Sequence, residues 1–244
     1  MKGIILAGGK GTRLHPLTVK CNKHLLPVGE EPMLFNPIKQ LISANIEDIL
    51  IISSGRHIGD IVDAVSSSNI FHCNFSFAVQ QEAKGIAHAL LAAEKFAGND
   101  ITTVILGDNI TTHSIKPYVE KFKLQRIGAK VLLSKVTNPG RYGVAVLKKD
   151  IIENIVEKPD KRIGSYAVTG IYFYDNRLFD IIKGVKPSDR GELEITSVNN
   201  TYLARQELTY DVINGSWIDA GTLKDYKYAN TLLAAVNNEI ILEK

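Results

Sequence analysis

Along this chain, short continuous apolar runs alternate with stretches whose apolar residues recur at helical spacing. Ile4-Ile5-Leu6-Ala7 and Asp48 to Ser53 read as strands covered on both faces, and Thr102 to Asn109 reads as a further strand that ends in an acid. Phe75-Ser76-Phe77-Ala78-Val79 alternates and predicts a further strand. Between them, Leu34, Ile38, Leu41 and Ile42 predict a helix with Pro32 near its start. Gly59 to Val65 predicts a second, short helix, and Ile86, Leu90, Leu91 and Phe96 a third. Ile115 to Gln125 reads as a helix and Ala129 to Thr137 as another strand. Strands and helices taken in turn predict right-handed crossovers and a mainly parallel sheet.

The rhythm then changes. Tyr142 to Leu147 and Ile151 to Val156 flank the polar turn Lys148-Lys149-Asp150, which predicts a hairpin that joins the sheet or builds a small antiparallel subsheet. Tyr166 to Tyr174 is a long aromatic-rich strand whose aromatics suit a core. Asp189 is placed to cap a helix running to about Arg205, and Glu192 and Glu194 would sit well at its positive end. Arg190 is the exception there, because a cation at a helix start opposes the dipole. A final helix is expected from Leu223 to about Ile240. No internal repeat, linker or low-complexity tract interrupts this order.

The first strand stops at the corner Ala7-Gly8-Gly9-Lys10-Gly11-Thr12-Arg13. Glycines here let backbone N–H groups approach a ligand, and a concave set of such groups is an anion nest. Arg13 adds a planar fork of donors that matches a phosphate. The corner is not the dinucleotide fingerprint, whose third glycine would fall on Leu14, nor the phosphate loop that requires Gly-Lys-Ser/Thr. Either it binds phosphate or it is a tight strand-to-helix turn.

Other candidates lie beyond strand ends, where open α/β sheets bind ligands. After the first strand, Pro16, Pro27 and Gly29 argue for an ordered loop, and Lys23 within it is either a surface lysine or a phosphate contact. Gln80 follows the alternating strand with both donors and an acceptor for a base edge, and Gly85 would let backbone come close. Asp108 ends the run after Leu106-Gly107 and reads either as a Mg²⁺ ligand or as the cap of the next turn. Asp219 in Trp217-Ile218-Asp219-Ala220-Gly221 supplies a second carboxylate. Glu157-Lys158 is either an exposed pair or an acceptor for hydroxyls beside a cation for phosphate.

Composition narrows the partners. The 244 residues carry 29 basic and 26 acidic side chains, a net charge of +3 that gives no argument for nucleic acid or a membrane surface. Cys21 and Cys73 have no metal or redox spacing, so free thiols in a reducing compartment are expected. The chain enters its first strand at once and has no run long enough to span a bilayer, which leads to the expectation of a cytoplasmic protein without a signal peptide.

Eight blocks, in order, resemble the sugar-phosphate nucleotidylyltransferases, and within them the glucose-1-phosphate thymidylyltransferases. They are Leu6 to Leu14, Lys23-His24-Leu25-Leu26-Pro27, Gly107-Asp108-Asn109, Arg141-Tyr142-Gly143-Val144, Glu157-Lys158-Pro159, Tyr166 to Tyr172, Arg190 to Thr196 and Trp217 to Thr222. The resemblance covers nearly the whole chain. It implies an α/β class, with one Rossmann-like nucleotidyltransferase domain over residues 1–244 around a mixed, largely parallel sheet. Nucleotide binding would fall in about 1–110, sugar-phosphate binding in about 111–222, and a C-terminal helix in about 223–240.

The implied reaction joins dTTP and glucose 1-phosphate into dTDP-glucose and pyrophosphate with Mg²⁺, feeding dTDP-rhamnose and related deoxysugars of envelope polysaccharides. By matching position, Leu6, Gly8, Gly9, Gly11, Thr12 and Arg13 would hold the nucleotide, Gln80 and Gly85 its base, and Asp108 and Asp219 the metal. Asn109, Gly143, Glu157, Val168 and Tyr172 would take the sugar, with Lys158 and Arg190 on its phosphate. Lys23 would neutralise the phosphates as they meet, so that Arg13, Lys23, Asp108, Lys158 and Asp219 form the catalytic set.

His24 stands where many thymidylyltransferases have Gln, and Gln81 to Lys84 differs from their loop beside the base. UTP in place of dTTP, another hexose 1-phosphate, or a non-catalytic sugar-nucleotide sensor are the alternatives. The resemblance is to a short form, a homodimer or homotetramer without the extra C-terminal helices of a feedback site.

Overall fold

The computed structural model describes residues 1–68 and 70–242. The apolar opening run forms β1 (Lys2–Leu6), and after the glycine corner a small hairpin pairs β2 (Pro27–Val28) with β3 (Glu31–Pro32). Pro32 therefore closes a strand, and the helix expected from it begins only at α1 (Phe35–Ser43). Next come β4 (Asp48–Ser54), α2 (Ile58–Ser67) and β5 (Asn74–Gln80). The single helix predicted through Phe96 is two, α3 (Ile86–Leu90) and α4 (Glu94–Ala97), separated by a 3-10 turn over Leu91–Ala93.

The chain continues through β6 (Thr102–Leu106), β7 (Asn109–Thr111), α5 (Lys116–Gln125) and β8 (Ala129–Lys135). The predicted hairpin is β9 (Gly143–Lys148) and β10 (Ile151–Glu157); positive φ at both Lys149 and Asp150 gives its two-residue turn the twist that strands prefer. Then follow β11 (Tyr166–Tyr174), α6 (Leu178–Gly184), α7 (Ile195–Ala204), β12 (Leu208–Val212), β13 (Trp217–Asp219) and α8 (Leu223–Leu242).

Nine strands share one sheet in the order β10-β9-β11-β6-β1-β4-β5, with β8 beside β11 and β12 beside β8. Strands β5, β4, β1 and β6 are parallel, as the alternation with helices predicts. The long β11 runs against β6, β8 and β9, so the antiparallel hairpin extends this sheet. Alternate residues of one strand feed opposite cores. Ile4 and Leu6 pack with Leu90, Leu178 and Tyr202 on one face, whereas Ile5 packs with Ile38, Ile61 and Phe122 on the other. A third cluster joins Val28, Met33, Ile110, Ile218 and Ala229, seating α8 against the two small two-stranded sheets, β2–β3 and β7–β13. None of the described helices is long and apolar enough to cross a membrane.

One expected element starts late. Asp189 caps nothing, because α7 opens at Ile195 and residues 189–194 form a loop. The cause is long-range: the Leu193 N–H donates to the Lys84 carbonyl at 2.8 Å, and its own carbonyl accepts from Ala87 N–H at 3.1 Å. That pairing keeps the segment out of helical conformation, and Arg190 does not oppose a helix dipole after all.

Candidate active site

Counted in chain order among themselves, the parallel strands lie third, second, first, fourth, so the order reverses between β1 and β6. A crevice is expected at the carboxyl ends there. A cleft of about 340 Å³ opens at this place, with Leu6 and Leu106 among its walls.

At the corner after β1, Gly11 takes φ +64° and opens a turn of 3-10 helix over Thr12–Leu14. The Thr18 hydroxyl donates to the Gly11 carbonyl at 2.7 Å and closes the loop. A β-carbon on Gly8 would meet Gln80 Oε1 at 2.8 Å, so glycine there lets the Gln80 amide lie against the corner. Gly85, at φ +101°, has the Leu193 carbonyl oxygen 2.5 Å from where a β-carbon would be. Any side chain at Gly85 would push the loop after β5 away from the loop that carries Arg190.

Asp108 does not end β6 but occupies the turn between β6 and β7. The strands β7 and β13 pair with Asp219 opposite Asn109, and the Ala220 N–H donates to the Asp108 carbonyl at 2.9 Å. This tiny sheet brings the two distant carboxylates together. Around Gly221 three polar atoms converge: a β-carbon built there would lie 2.8 Å from Asp219 Oδ1, 2.9 Å from Arg13 Nη2 and 3.4 Å from Asp108 Oδ2. Lys23 Nζ donates to the same Asp108 Oδ2, and the two side chains are 13% and 8% exposed.

Burial acts on both acids, and neighbours decide the outcome. For Asp108, burial alone would raise the pKa, but the Lys23 charge, then His24 and hydrogen bonds from Lys23 and Asn109, hold it well below the usual carboxylate range. Asp219 is pushed up to about 6 by burial and by the charge of Asp108. The pair thus behaves as one ionised and one proton-attracting carboxylate. His24 is pushed down to about 3, first by burial and then by Lys23, and is neutral. Its Nδ1 and its backbone N–H both meet Asn22 Oδ1, at 2.7 and 2.8 Å.

On the outer side, Glu157 ends β10 and its Oε2 accepts from the Thr196 hydroxyl at 2.6 Å. Lys158 Nζ lies 3.5 Å from Glu157 Oε1. Arg190 is held by Glu194, at 2.7 and 3.1 Å, and stands 3.4 Å from Glu157 and 3.7 Å from Glu192. Tyr172 is buried, and burial followed by the Glu157 charge raises its phenol.

Leu6, Gly8, Gly9, Arg13, Lys23, Gln80, Gly85, Asp108, Asn109, Gly143, Glu157, Lys158, Val168, Tyr172 and Asp219 all line the one cleft. Gly11, Thr12 and Arg190 do not: the first two belong to the corner after β1, and Arg190 stands behind Glu157 and Glu192, which do. Sequence reasoning assigned no role to Arg141, Tyr142, Thr196 or Trp217, which also form walls. Each stands inside one of the eight blocks, so the signal was adjacency to residues already singled out. Arg141 grips Asp225 at the start of α8 with both ends of its fork, and Tyr142 meets Trp217 edge-on at 5.2 Å.

Among the described residues no cluster of three or more His, Cys, Asp or Glu side chains forms a metal cage. Two carboxylates facing an open cleft suit a hard divalent ion that completes its shell with water and phosphate oxygens. Transfer of a phosphate-bearing group is the chemistry that such cations and acids serve, so the class that the fold and site define is a phosphate-group transferase.

The family model described as nucleotidyl transferase matches residues 2–236, and the chain belongs to that family. It is similar to the glucose-1-phosphate thymidylyltransferase of Neisseria meningitidis serogroup A, 39% identical over 98% of this chain and 84% of the relative. The Mycolicibacterium smegmatis protein of the same name is 41% identical over 91% of this chain and 78% of the relative. A Bacillus anthracis crystal structure, described as a candidate glucose-1-phosphate thymidylyltransferase in complex with sucrose, superposes with TM-score 0.91 at 52% identity, covering 95% of this chain and 94% of that one. A UDP-glucose pyrophosphorylase complexed with UDP-glucose gives TM-score 0.84 at 25% identity, over 96% and 98%.

Proposed function

We propose that this protein transfers the thymidylyl group of dTTP to glucose 1-phosphate, forming dTDP-glucose and releasing pyrophosphate. The observation behind this reading is the convergence of Arg13, Asp108 and Asp219 at Gly221, beside the corner that ends β1. Similarity to named thymidylyltransferases over most of the chain points to the same reaction. In this reading residues 1–110 hold the nucleotide, residues 111–222 the sugar phosphate, and the helix from Leu223 braces the floor.

A phosphate oxygen of glucose 1-phosphate attacks the α-phosphorus in line as the bond to the pyrophosphate oxygen breaks. The nucleophile is already an anion, so no side chain need remove a proton. The obstacle is bringing two polyanions together, and positioned positive charge is the remedy. Arg13 and the N–H groups of Gly8, Gly9, Gly11 and Thr12 steady the leaving pyrophosphate. Gln80 and Gly85 read the base, and Leu6 floors the nucleotide. Lys23 stands between the two phosphates, while Lys158 and Arg190 hold the sugar phosphate. Glu157 accepts from sugar hydroxyls beside Asn109, Gly143, Val168 and Tyr172.

The family works with a divalent metal, and here Asp108 and Asp219 would hold Mg²⁺, whose charge eases the approach of the phosphates. The test is pyrophosphate release with dTTP, UTP, CTP, GTP and ATP, each crossed with several hexose 1-phosphates. dTTP with glucose 1-phosphate is expected to give the highest kcat/KM. Preference for UTP would make the protein a uridylyltransferase, and no release from any pair would make it a sugar-nucleotide sensor.

A further inference from the structure

Asn109 lines the cleft and is 2% exposed, yet its amide is engaged inside the protein. One amide atom meets both the Gly170 backbone N–H at 2.8 Å and the Trp217 indole N–H at 2.6 Å. Two donors aimed at one atom require an oxygen there, so both lone-pair sites of Oδ1 are filled. The Nδ2 end therefore faces Asp108 and donates to its Oδ1 at 3.1 Å. A β-carbon on Gly170 would meet Asn109 Oδ1 at 2.6 Å, so the glycine is what lets the amide sit against β11.

These contacts reach three separate pieces of backbone: the turn carrying Asp108, the middle of β11, and β13. Asp108 Oδ1 is turned to Asn109, and Oδ2 is the oxygen that faces Lys23 and Gly221. Trp217 opens β13, and Asp219 ends it directly opposite Asn109. One side chain therefore orients one carboxylate directly and anchors the strand that presents the other.

We infer that Asn109 is a positioning residue that aims both cleft carboxylates, a role different from the sugar contact that the family resemblance implies. The inference rests on the reading of Asp108 and Asp219 as the metal-holding pair. Groups that orient metal ligands typically change metal affinity or activity by roughly 10–100-fold when lost.

Asn109→Asp tests it, because an oxygen remains for Gly170 and Trp217 while the donor to Asp108 is replaced by a like charge. Mn²⁺ binding to the whole protein is read by electron paramagnetic resonance, alongside the Mg²⁺ dependence of pyrophosphate release. Trp217 is the single tryptophan, so its emission reports on the indole bond, and thermal melting reports on the fold. The expected result is unchanged emission, a lowered melting temperature from the buried like charge, half-saturating Mn²⁺ and Mg²⁺ concentrations raised roughly 10–100-fold, and a smaller fall in kcat at saturating metal. Mn²⁺ binding equal to or tighter than wild type overturns the inference. If Asn109→Asp does not fold, Trp217→Phe removes only the indole donor: weaker Mn²⁺ binding supports the role, and unchanged binding overturns it. A wild-type protein that binds no Mn²⁺ and turns over without metal overturns the metal reading itself, and this inference with it.

Discussion

The two walls of the cleft are built on different terms. On the inner wall, Lys23 and Asp108 are 13% and 8% exposed; Lys23 opens a 3-10 turn, and Asp108 sits in the turn that leads into the paired β7. On the outer wall, Lys158 and Arg190 are 48% and 44% exposed, and carboxylates already surround Arg190. A charge held away from water acts on its neighbours far more strongly than one that water and salt screen. In the proposed reaction the inner wall would therefore stabilise the transition state, and the outer wall would select and hold the acceptor sugar.

Arg13 puts that contrast at risk, since it is exposed yet aimed at the point where the carboxylates meet. If aim decides, Arg13→Ala lowers kcat by about 10²–10³, the usual loss for one electrostatic donor, with melting unchanged. Steady-state kinetics that show only a raised KM would mean that burial, not aim, separates the walls.

A buried carboxylate away from the cleft separates burial from chemistry. Asp175 is 3% exposed and accepts from Gly128 N–H at 2.7 Å, from Arg177 Nε at 2.8 Å and from the Tyr202 hydroxyl at 2.8 Å. Burial alone would raise its pKa, but those hydrogen bonds, Arg177 foremost, hold it below 3.8. A depressed carboxylate stabilises the fold above its unfolded pKa, and that stability is lost as the pH falls through the lower folded value. Asp175→Asn is expected to cost about 2 kcal/mol at neutral pH and to flatten the loss of stability in acid, with kcat unchanged. Urea titrations at several pH values, paired with the release assay, measure both.

The outer wall should respond through binding alone. Arg190→Ala is expected to raise KM for glucose 1-phosphate roughly five- to tenfold, about 1 kcal/mol, with kcat nearly kept. Glu192→Gln removes an exposed carboxylate 3.7 Å from that guanidinium and should lower the same KM about twofold. Equal losses in kcat and kcat/KM for Arg190→Ala would place it in the transition state and erase the distinction between the walls.

Much of the scaffold was legible locally. The apolar runs of β1, β4 and β6 and the helical spacing of α1, α2 and α5 are written in neighbouring residues, and their alternation specifies the parallel half of the sheet. The glycines of the first corner and the residues that follow strand ends likewise point, from the chain itself, to where the cleft opens. Tertiary contacts decided the rest. Strands β7 and β13 have three residues each, too few to show a period, so the meeting of Asp108 with Asp219 arises only from their pairing. The start of α7 was set by Lys84 and Ala87 gripping Leu193, an interaction between segments far apart in the chain that no local propensity encodes. Side-chain chemistry and backbone preference belong to each residue and its neighbours, whereas the direction in which a carboxylate or an amide points depends on partners that folding alone brings within reach.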